Sequence, residues 1–264
     1  MVSLDSKIVW LTGASDGIGA ALIPILKSKN VKLIVSARNE TALKTLLQDN
    51  HFDSHNSLVL PYDLSKDNAA EKPKIVLDKF GSIDVLILCA GVNQKSLASE
   101  TEDAVNQLIM NVNFMANVRL IQAVLPTFQH QKSGHIVAVS SIIAKFGAPY
   151  LSMYSASKHA LNGYLESLRY EVEANNINIS IVTPGFVATN IDAKALTKDG
   201  TAFNQKSVAQ AKGIAPTKVA NAIIKSIERQ KRHIYVGKLE ILMPFVNFFA
   251  PKTFYYILKK LHKL

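Results

Sequence analysis

An apolar run at residues 8–11 leads straight into Thr12-Gly13-Ala14-Ser15-Asp16-Gly17-Ile18-Gly19, where the pattern of a helix begins. A strand, a glycine-rich turn and a helix in direct succession leave few folds open. Gly13 permits the tight turn, Gly17 lets backbone approach a phosphate, and Gly19 lets the helix pack on the strand. The free N–H groups and the dipole of the first helical turn favour an anion there. The spacing is Gly-x-x-x-Gly-x-Gly rather than Gly-x-Gly-x-x-Gly.

The rest of the chain continues the alternation. Strand-like runs fall at 8–11, 31–36, 57–62, 85–88, 135–140, 177–183 and 234–236. Amphipathic helical stretches fall at 18–29, 40–49, 67–80, 104–130, 153–175 and 217–230. Strands that are apolar on both faces, separated by helices, predict an α/β fold. The expected form is a doubly wound parallel (Rossmann) sheet of about seven strands with helices on both faces. The 264 residues, 48% apolar and 19% charged, suit one ordinary globular unit. The expected organisation is a single dinucleotide-binding catalytic domain over 1–237 and an apolar, basic extension over 238–264. The polar stretch 188–213 follows Pro184-Gly185 at a strand end and is a candidate lid.

A single cysteine, Cys89, excludes a disulfide framework and a cysteine-based zinc cage. His51 and His55 lie in a polar loop and read as solvated, so no metal site is expected. Residues 1–7 contain no apolar run of signal-peptide length, and no window offers roughly 20 unbroken apolar residues. A cytoplasmic location is therefore expected.

Thr-Gly-Ala-Ser-x-Gly-Ile-Gly resembles the nucleotide turn of the short-chain dehydrogenase/reductase family. The resemblance continues residue by residue over roughly 5–237. It implies a nicotinamide cofactor bound by Gly13, Ser15, Asp16, Gly17, Ile18 and Gly19. Asp63 and Leu64 would contact the adenine, with Asp63 accepting from its exocyclic amine. Cys89-Ala90-Gly91 stands where the family has Asn-Ala-Gly, so Ala90 and Gly91 match and Cys89 departs. Pro184-Gly185-Phe186-Val187-Ala188-Thr189 resembles the family's Pro-Gly-x-x-x-Thr segment. Backbone near Val187 would meet the nicotinamide amide, and Thr189 would bond the amide or a phosphate.

A ribose with two free hydroxyls needs an acid just past the second strand, whereas a 2′-phosphate needs a cation. That strand ends Ser36-Ala37-Arg38-Asn39 without an acid. Arg38, aided by Asn39, points to NADP(H). Glu40 is the competing acid, but it reads better as a first-turn residue behind an Asn39 cap. Asp16 runs against NADP(H), since many NADP-binding relatives carry a cation at that place.

Tyr154 and Lys158 stand four residues apart, on one face of a helix. A free phenol, with a pKa of about 10, is a poor base at neutral pH. A neighbouring ammonium is expected to lower that pKa. Ser141 precedes Tyr154 by thirteen residues, the family's Ser-to-Tyr spacing. The resemblance makes Asn113, Ser141, Tyr154 and Lys158 the catalytic set. Ser141 would fix the substrate carbonyl, Tyr154 would move the proton, and Lys158 would also hold the ribose. Asn113 would hold a water that relays protons to Lys158.

The reaction expected is hydride transfer between NADP(H) and a carbonyl or secondary alcohol. Ile142, Ile143, Ala144, Phe146, Tyr150, Leu151, Met153 and Phe186 would make the substrate a bulky apolar ketone or aldehyde if they line the pocket. The alternatives are a non-catalytic nucleotide-sensing or scaffolding member and a membrane-associated lipid, steroid or retinoid reductase. Relatives often form homodimers or homotetramers through the helices that hold Asn113 and Tyr154. Net charge is +10, and seven of those charges lie from Lys225 onward, where nine Lys/Arg face two acids. No nucleic-acid motif accompanies them, so no nucleic-acid partner is expected. The extension is expected to close over the pocket, pack at a subunit interface, or lie peripherally on a membrane surface. Pro244, Asn247, Pro251 and Lys252 interrupt it, which argues against a membrane-spanning helix there. The final His-Lys-Leu only faintly resembles a peroxisomal signal.

Overall fold

The computed structural model describes residues 1–205 and 207–262, so Lys263 and Leu264 of the terminal tripeptide lie outside the described residues. Seven strands form one parallel sheet: β1 (Ile8–Thr12), β2 (Lys32–Ser36), β3 (Ser57–Val59), β4 (Val85–Leu88), β5 (Gly134–Val139), β6 (Ile177–Pro184) and β7 (His233–Val236). Their order is β3-β2-β1-β4-β5-β6-β7. The direction of winding reverses between β1 and β4, which creates a crevice at the carboxyl ends of those two strands. The helices are α1 (Gly17–Ser28), α2 (Glu40–Asp49), α3 (Lys72–Phe80), α4 (Asp103–Met110), α5 (Ala116–Gln131), α6 (Ser152–Val172), α7 (Val208–Ala211), α8 (Pro216–Glu228), α9 (Met243–Phe249) and α10 (Pro251–His262).

Strand periodicity assigns the helices to faces. Val9, Leu11, Leu33, Val35 and Ile87 point to one side and are covered by Leu22, Ile23 and Leu26 of α1, Leu43 of α2 and Ile223 of α8. Their alternates Ile8, Trp10, Ile34 and Leu86 meet Leu120, Ile121 and Val124 of α5 and Leu161 and Leu165 of α6. Both faces are dry, which is why the strands read as unbroken apolar runs. Trp10 is fully buried and spends its one donor on Ser36 Oγ at 2.9 Å, pinning β1 to β2.

Three boundaries differ from the sequence expectation, each for a local reason. The third strand is regular only to Val59, although Leu60 and Tyr62 still donate to Val35 and Ala37; Pro61 lies between them, where its missing N–H would face off the sheet edge. The third helix begins at Lys72, not at 67. Pro73 marks its first turn, and Asp67 is drawn into the preceding loop, where it accepts from Asp63 N at 2.8 Å. The stretch 104–130 is not one regular helix: a π turn, Asn111–Met115, joins α4 to α5.

Among the described residues, Asp103–Gln131 is one helix long and apolar enough to cross a membrane by length and composition. Its apolar side is instead spent on the core, with Ile109, Leu120, Ile121, Val124 and Phe128 all fully buried. The candidate lid is held along its length. Leu196 exchanges backbone hydrogen bonds with Asn93 and Lys95, Phe203 donates to Ala195 and Asn204 to Ala193, and α7 follows.

Candidate active site

Thr12, Leu88 and Ala138 lie in register, so the loops after β1, β4 and β5 leave the sheet side by side. Gly13 takes φ +65°, and a Cβ there would lie 2.6 Å from Ala90 N. Only glycine lets the first turn rest on the Cys89–Ala90 backbone. Gly19 packs its Cα against the Gly13 carbonyl, where a side chain would collide. Gly17, at φ +54°, is open except toward Thr189. The result is a shallow, backbone-lined cradle at the N-terminus of α1, with Ser15, Asp16 and Ile18 half-buried at its mouth. Asp16 caps α1 by accepting from Gly17 N at 2.7 Å, and its other oxygen pairs with Lys194 at 2.5 Å.

Beyond Ala90 lies Gly91, where a Cβ would stand 3.2 Å from Asn113 Oδ1 and 3.5 Å from Lys158 Nζ. Asn113 sits in the π turn and is wholly buried. It accepts from Val92 N at 2.8 Å and donates to Val92 O at 2.9 Å and Ser157 Oγ at 3.0 Å. π turns recur at functional sites because the extra residue re-aims a side chain. Tyr154 and Lys158 follow on successive turns of α6, both buried, and Lys158 donates to Val139 O at 3.1 Å. Ser141 caps the short turn Ile142–Lys145 and lies against the Tyr154 phenol. The four residues of the expected catalytic set therefore meet at the mouth between β1, β4 and β5. Their neighbours are structural: Ser140 donates to Asn162 at 2.7 Å, and Asn111 bonds Ser65 O and Arg119.

Comparison with known proteins agrees with this fold. The family model for short chain dehydrogenases matches residues 7–200. The chain is a member of the short-chain dehydrogenase/reductase family. It is 33% identical over 264 residues to a dehydrogenase/reductase SDR family protein 7-like from Anopheles gambiae, covering 97% of this chain and 83% of that one. It superimposes on a short-chain dehydrogenase/reductase from Burkholderia phymatum in complex with NAD, with a TM-score of 0.85 at 21% identity and 96% of each chain covered. A metagenomic short-chain oxidoreductase in complex with NADP gives a TM-score of 0.73 at 26% identity, covering 89% of this chain and 98% of that one. The family is one of oxidoreductases that use a nicotinamide cofactor.

The electrostatics correct one expectation for this short-chain dehydrogenase/reductase. The Tyr154 phenol is raised above its ordinary pKa, not lowered. Burial is the main cause; a hydrogen bond with Ser141 opposes it, and the negative charge of Asp192 adds to it. Burial also desolvates the Lys158 ammonium and brings its pKa down to about 8, which leaves it largely protonated at neutral pH. Burial pushes the Cys89 thiol up to about 12, against the pull of Lys158, so it stays protonated and unreactive.

At the end of β2, Asn39 caps α2 by accepting from Ala42 N at 2.9 Å, and Glu40 pairs with Lys44 at 2.6 Å within the same helix. Glu40 is thus committed locally. Arg38 is exposed and holds no ion pair among the described residues, and its charge helps keep Asp63 below the usual carboxylate range. Burial opposes that shift, while Ser65 favours it by donating to Asp63 Oδ1 through N at 2.9 Å and Oγ at 2.7 Å. Leu64 is buried in the core beside it. The cradle fits a dinucleotide: small where phosphates would pass, with a free cation beyond β2. The acid Asp16 at the cradle is offset by Lys194.

Around the substrate side, Ile142, Ala144 and Phe146 are buried, with Ile142 and Phe146 packed beneath α9 and α10, so they do not line an open pocket. Ile143, Tyr150, Leu151 and Met153 are half-buried and Phe186 is exposed.

Four further residues shape the site, and the sequence reading did not find them. Gln210 of α7, buried, donates to Val187 O and to Thr189 Oγ1, fixing the Pro184–Thr189 segment. Glu240 packs over Gly185 and accepts from Phe186 N at 3.1 Å. Lys194 neutralises Asp16. Gln94 is wholly buried, and its Oε1 accepts from Met153 N at 2.7 Å and Tyr154 N at 3.2 Å. Leu151, the N-cap of α6, offers no side-chain acceptor, so Gln94 caps this helix from another loop. No local spacing rule finds a cap placed 59 residues away. Gln94→Met keeps the length of the side chain and loses the acceptor. It should cost about 1–2 kcal/mol, read as a melting temperature about 2–6 °C lower with a larger fall in kcat than in cofactor affinity. An unchanged melting temperature would contradict the capping role.

Proposed function

We propose that this short-chain dehydrogenase/reductase is an NADP(H)-dependent carbonyl reductase acting on an apolar ketone or aldehyde. The observation that carries this reading is the buried Tyr154–Lys158 pair, with Ser141 against the phenol and Asn113 beside Gly91, all at the crevice beside β1. Bound NADPH would supply the hydride. Gly13, Ser15, Asp16, Gly17, Ile18 and Gly19 would surround its pyrophosphate, Arg38 and Asn39 its 2′-phosphate, and Asp63 and Leu64 its adenine. Ala90, Gly91, Pro184, Gly185, Val187 and Thr189 would flank the ribose and nicotinamide.

The substrate oxygen would accept from Ser141 and Tyr154. Charge grows on that oxygen as the carbonyl is reduced, so two donors aimed at it act mainly on the transition state. Tyr154 gives up its proton to make the alcohol. Tyr154 is protonated at neutral pH, as donation in this direction requires; its raised pKa makes it a weaker acid, so donation depends on stabilising the phenolate it leaves. Lys158, held by Val139 O, would stabilise the phenolate left behind and bond the ribose. Asn113, locked by Val92 and Ser157, would seat a water that returns a proton to Lys158. The half-buried Tyr150, Leu151 and Met153 and the exposed Phe186 would supply an apolar wall if they face the substrate, and an apolar carbonyl rests on that reading.

Tyr154→Phe should keep the fold and NADPH binding while turnover of a ketone panel falls by about 10²–10⁴-fold. Wild-type turnover in the folded variant would end this mechanism. Arg38→Ala should weaken NADPH by about 1.5–3 kcal/mol and leave NADH nearly unchanged in cofactor titrations. Equal weakening of both, or a wild type that prefers NADH, would assign cofactor choice to another residue.

A further inference from the structure

We propose that α9 and α10 form a docking surface for an anionic lipid bilayer. The two helices have opposite sides of very different character. The inner side is satisfied: Phe254 is buried and meets Phe146 edge-to-face at 4.9 Å, with Met243, Val246 and Leu258 packed around it. The outer side is left bare. In the turn and helix of α9, Leu242, Phe245, Phe248 and Phe249 are exposed at helical spacing, with Phe248 and Phe249 each 78% exposed. On α10, Lys252, Tyr255, Tyr256 and Lys259 recur at the i, i+3, i+4, i+7 spacing of one helix face, all exposed. So many bare large aromatics in about 20 residues is far beyond the scattered exposure of an ordinary surface.

Charge selects the occupant. From residue 241 to 264 the chain contains four lysines and no acid. A second copy meeting this surface through a two-fold axis would present the same segment, which holds no carboxylate side chain to pair with those lysines. A bilayer with anionic headgroups offers the complementary arrangement. The phenylalanines reach the acyl boundary, tyrosines sit at the headgroup level, and lysines extend to phosphates and carboxylates. The segment is broken at Ala250–Pro251 into two short helices, Pro244 standing in the first turn of α9 and Pro251 opening α10, which suits lying in the interface and not crossing it.

The test is co-sedimentation of the full-length protein with phosphatidylcholine vesicles, with and without about one-third phosphatidylserine. The wild type should pellet with the phosphatidylserine vesicles at low salt and be released at high salt. Phe248→Ser with Phe249→Ser, and separately Lys252→Glu with Lys259→Glu, should each weaken binding by roughly tenfold or more. These exposed side chains lie outside the catalytic set, so both variants should keep wild-type melting and wild-type turnover of a water-soluble ketone. A wild type that stays in the supernatant with both vesicles overturns the proposal. So does a wild type that dimerises through Phe248 and Phe249, seen by analytical ultracentrifugation, and does not bind vesicles.

Discussion

The contact on which the site depends is the resting of Gly13 upon the Cys89–Ala90 backbone. No side chain fits between them. This contact joins the turn after β1 to the loop after β4, across the place where the sheet's winding reverses. The rest follows outward from Ala90. Gly91 is flanked by Asn113 and Lys158, Val92 is gripped on both its polar backbone groups by Asn113, and Gln94 caps the helix that carries Tyr154. One loop, 89–94, thereby sets the relative positions of the cradle, the π turn and α6.

The same loop explains the departure at Cys89. The family's Asn is replaced by a thiol whose burial keeps it protonated. The nearby polar work falls to Asn113 and Gln94. Burial also sets the chemistry. It lowers the pKa of the Lys158 ammonium to about 8 and holds the Tyr154 proton in place. A buried phenol is a weak acid until a neighbouring cation stabilises the phenolate it would leave.

Much of this was legible in the sequence. The unbroken apolar runs marked all seven strands to within a few residues, as a parallel sheet buried on both faces requires. Gly13 was marked by its place between the first strand and helix, while Asn113, Ser141, Tyr154 and Lys158 were picked out by the resemblance to the family. What stayed hidden is held by contacts between distant segments. Gln94, Gln210, Glu240 and Lys194 each act across the chain, on partners from 21 to 178 residues away. The π turn at Asn113 was invisible because its residues continue the helical pattern. The direction of the Tyr154 shift was misread because spacing reports that Lys158 is near, but not that both groups are dry. Ile142 and Phe146 could read either as pocket wall or as core; they are core, their apolar surface claimed by α9 and α10.

The extension thus has an inner role as a cover for the turn behind Ser141. Its fastening by Glu240 to the Pro184–Thr189 segment ties it to the cofactor side as well. The central claim, that this crevice moves a hydride from a nicotinamide to a carbonyl carbon while Tyr154 moves the proton, is tested most directly by isotope transfer. NADPH carrying deuterium at both C4 positions would be incubated with the protein and a panel of alicyclic and aromatic ketones. The account predicts an alcohol with one deuterium on the carbinol carbon and none on oxygen after exchange with water. Folded protein that binds NADPH yet transfers no deuterium to any carbonyl would contradict it.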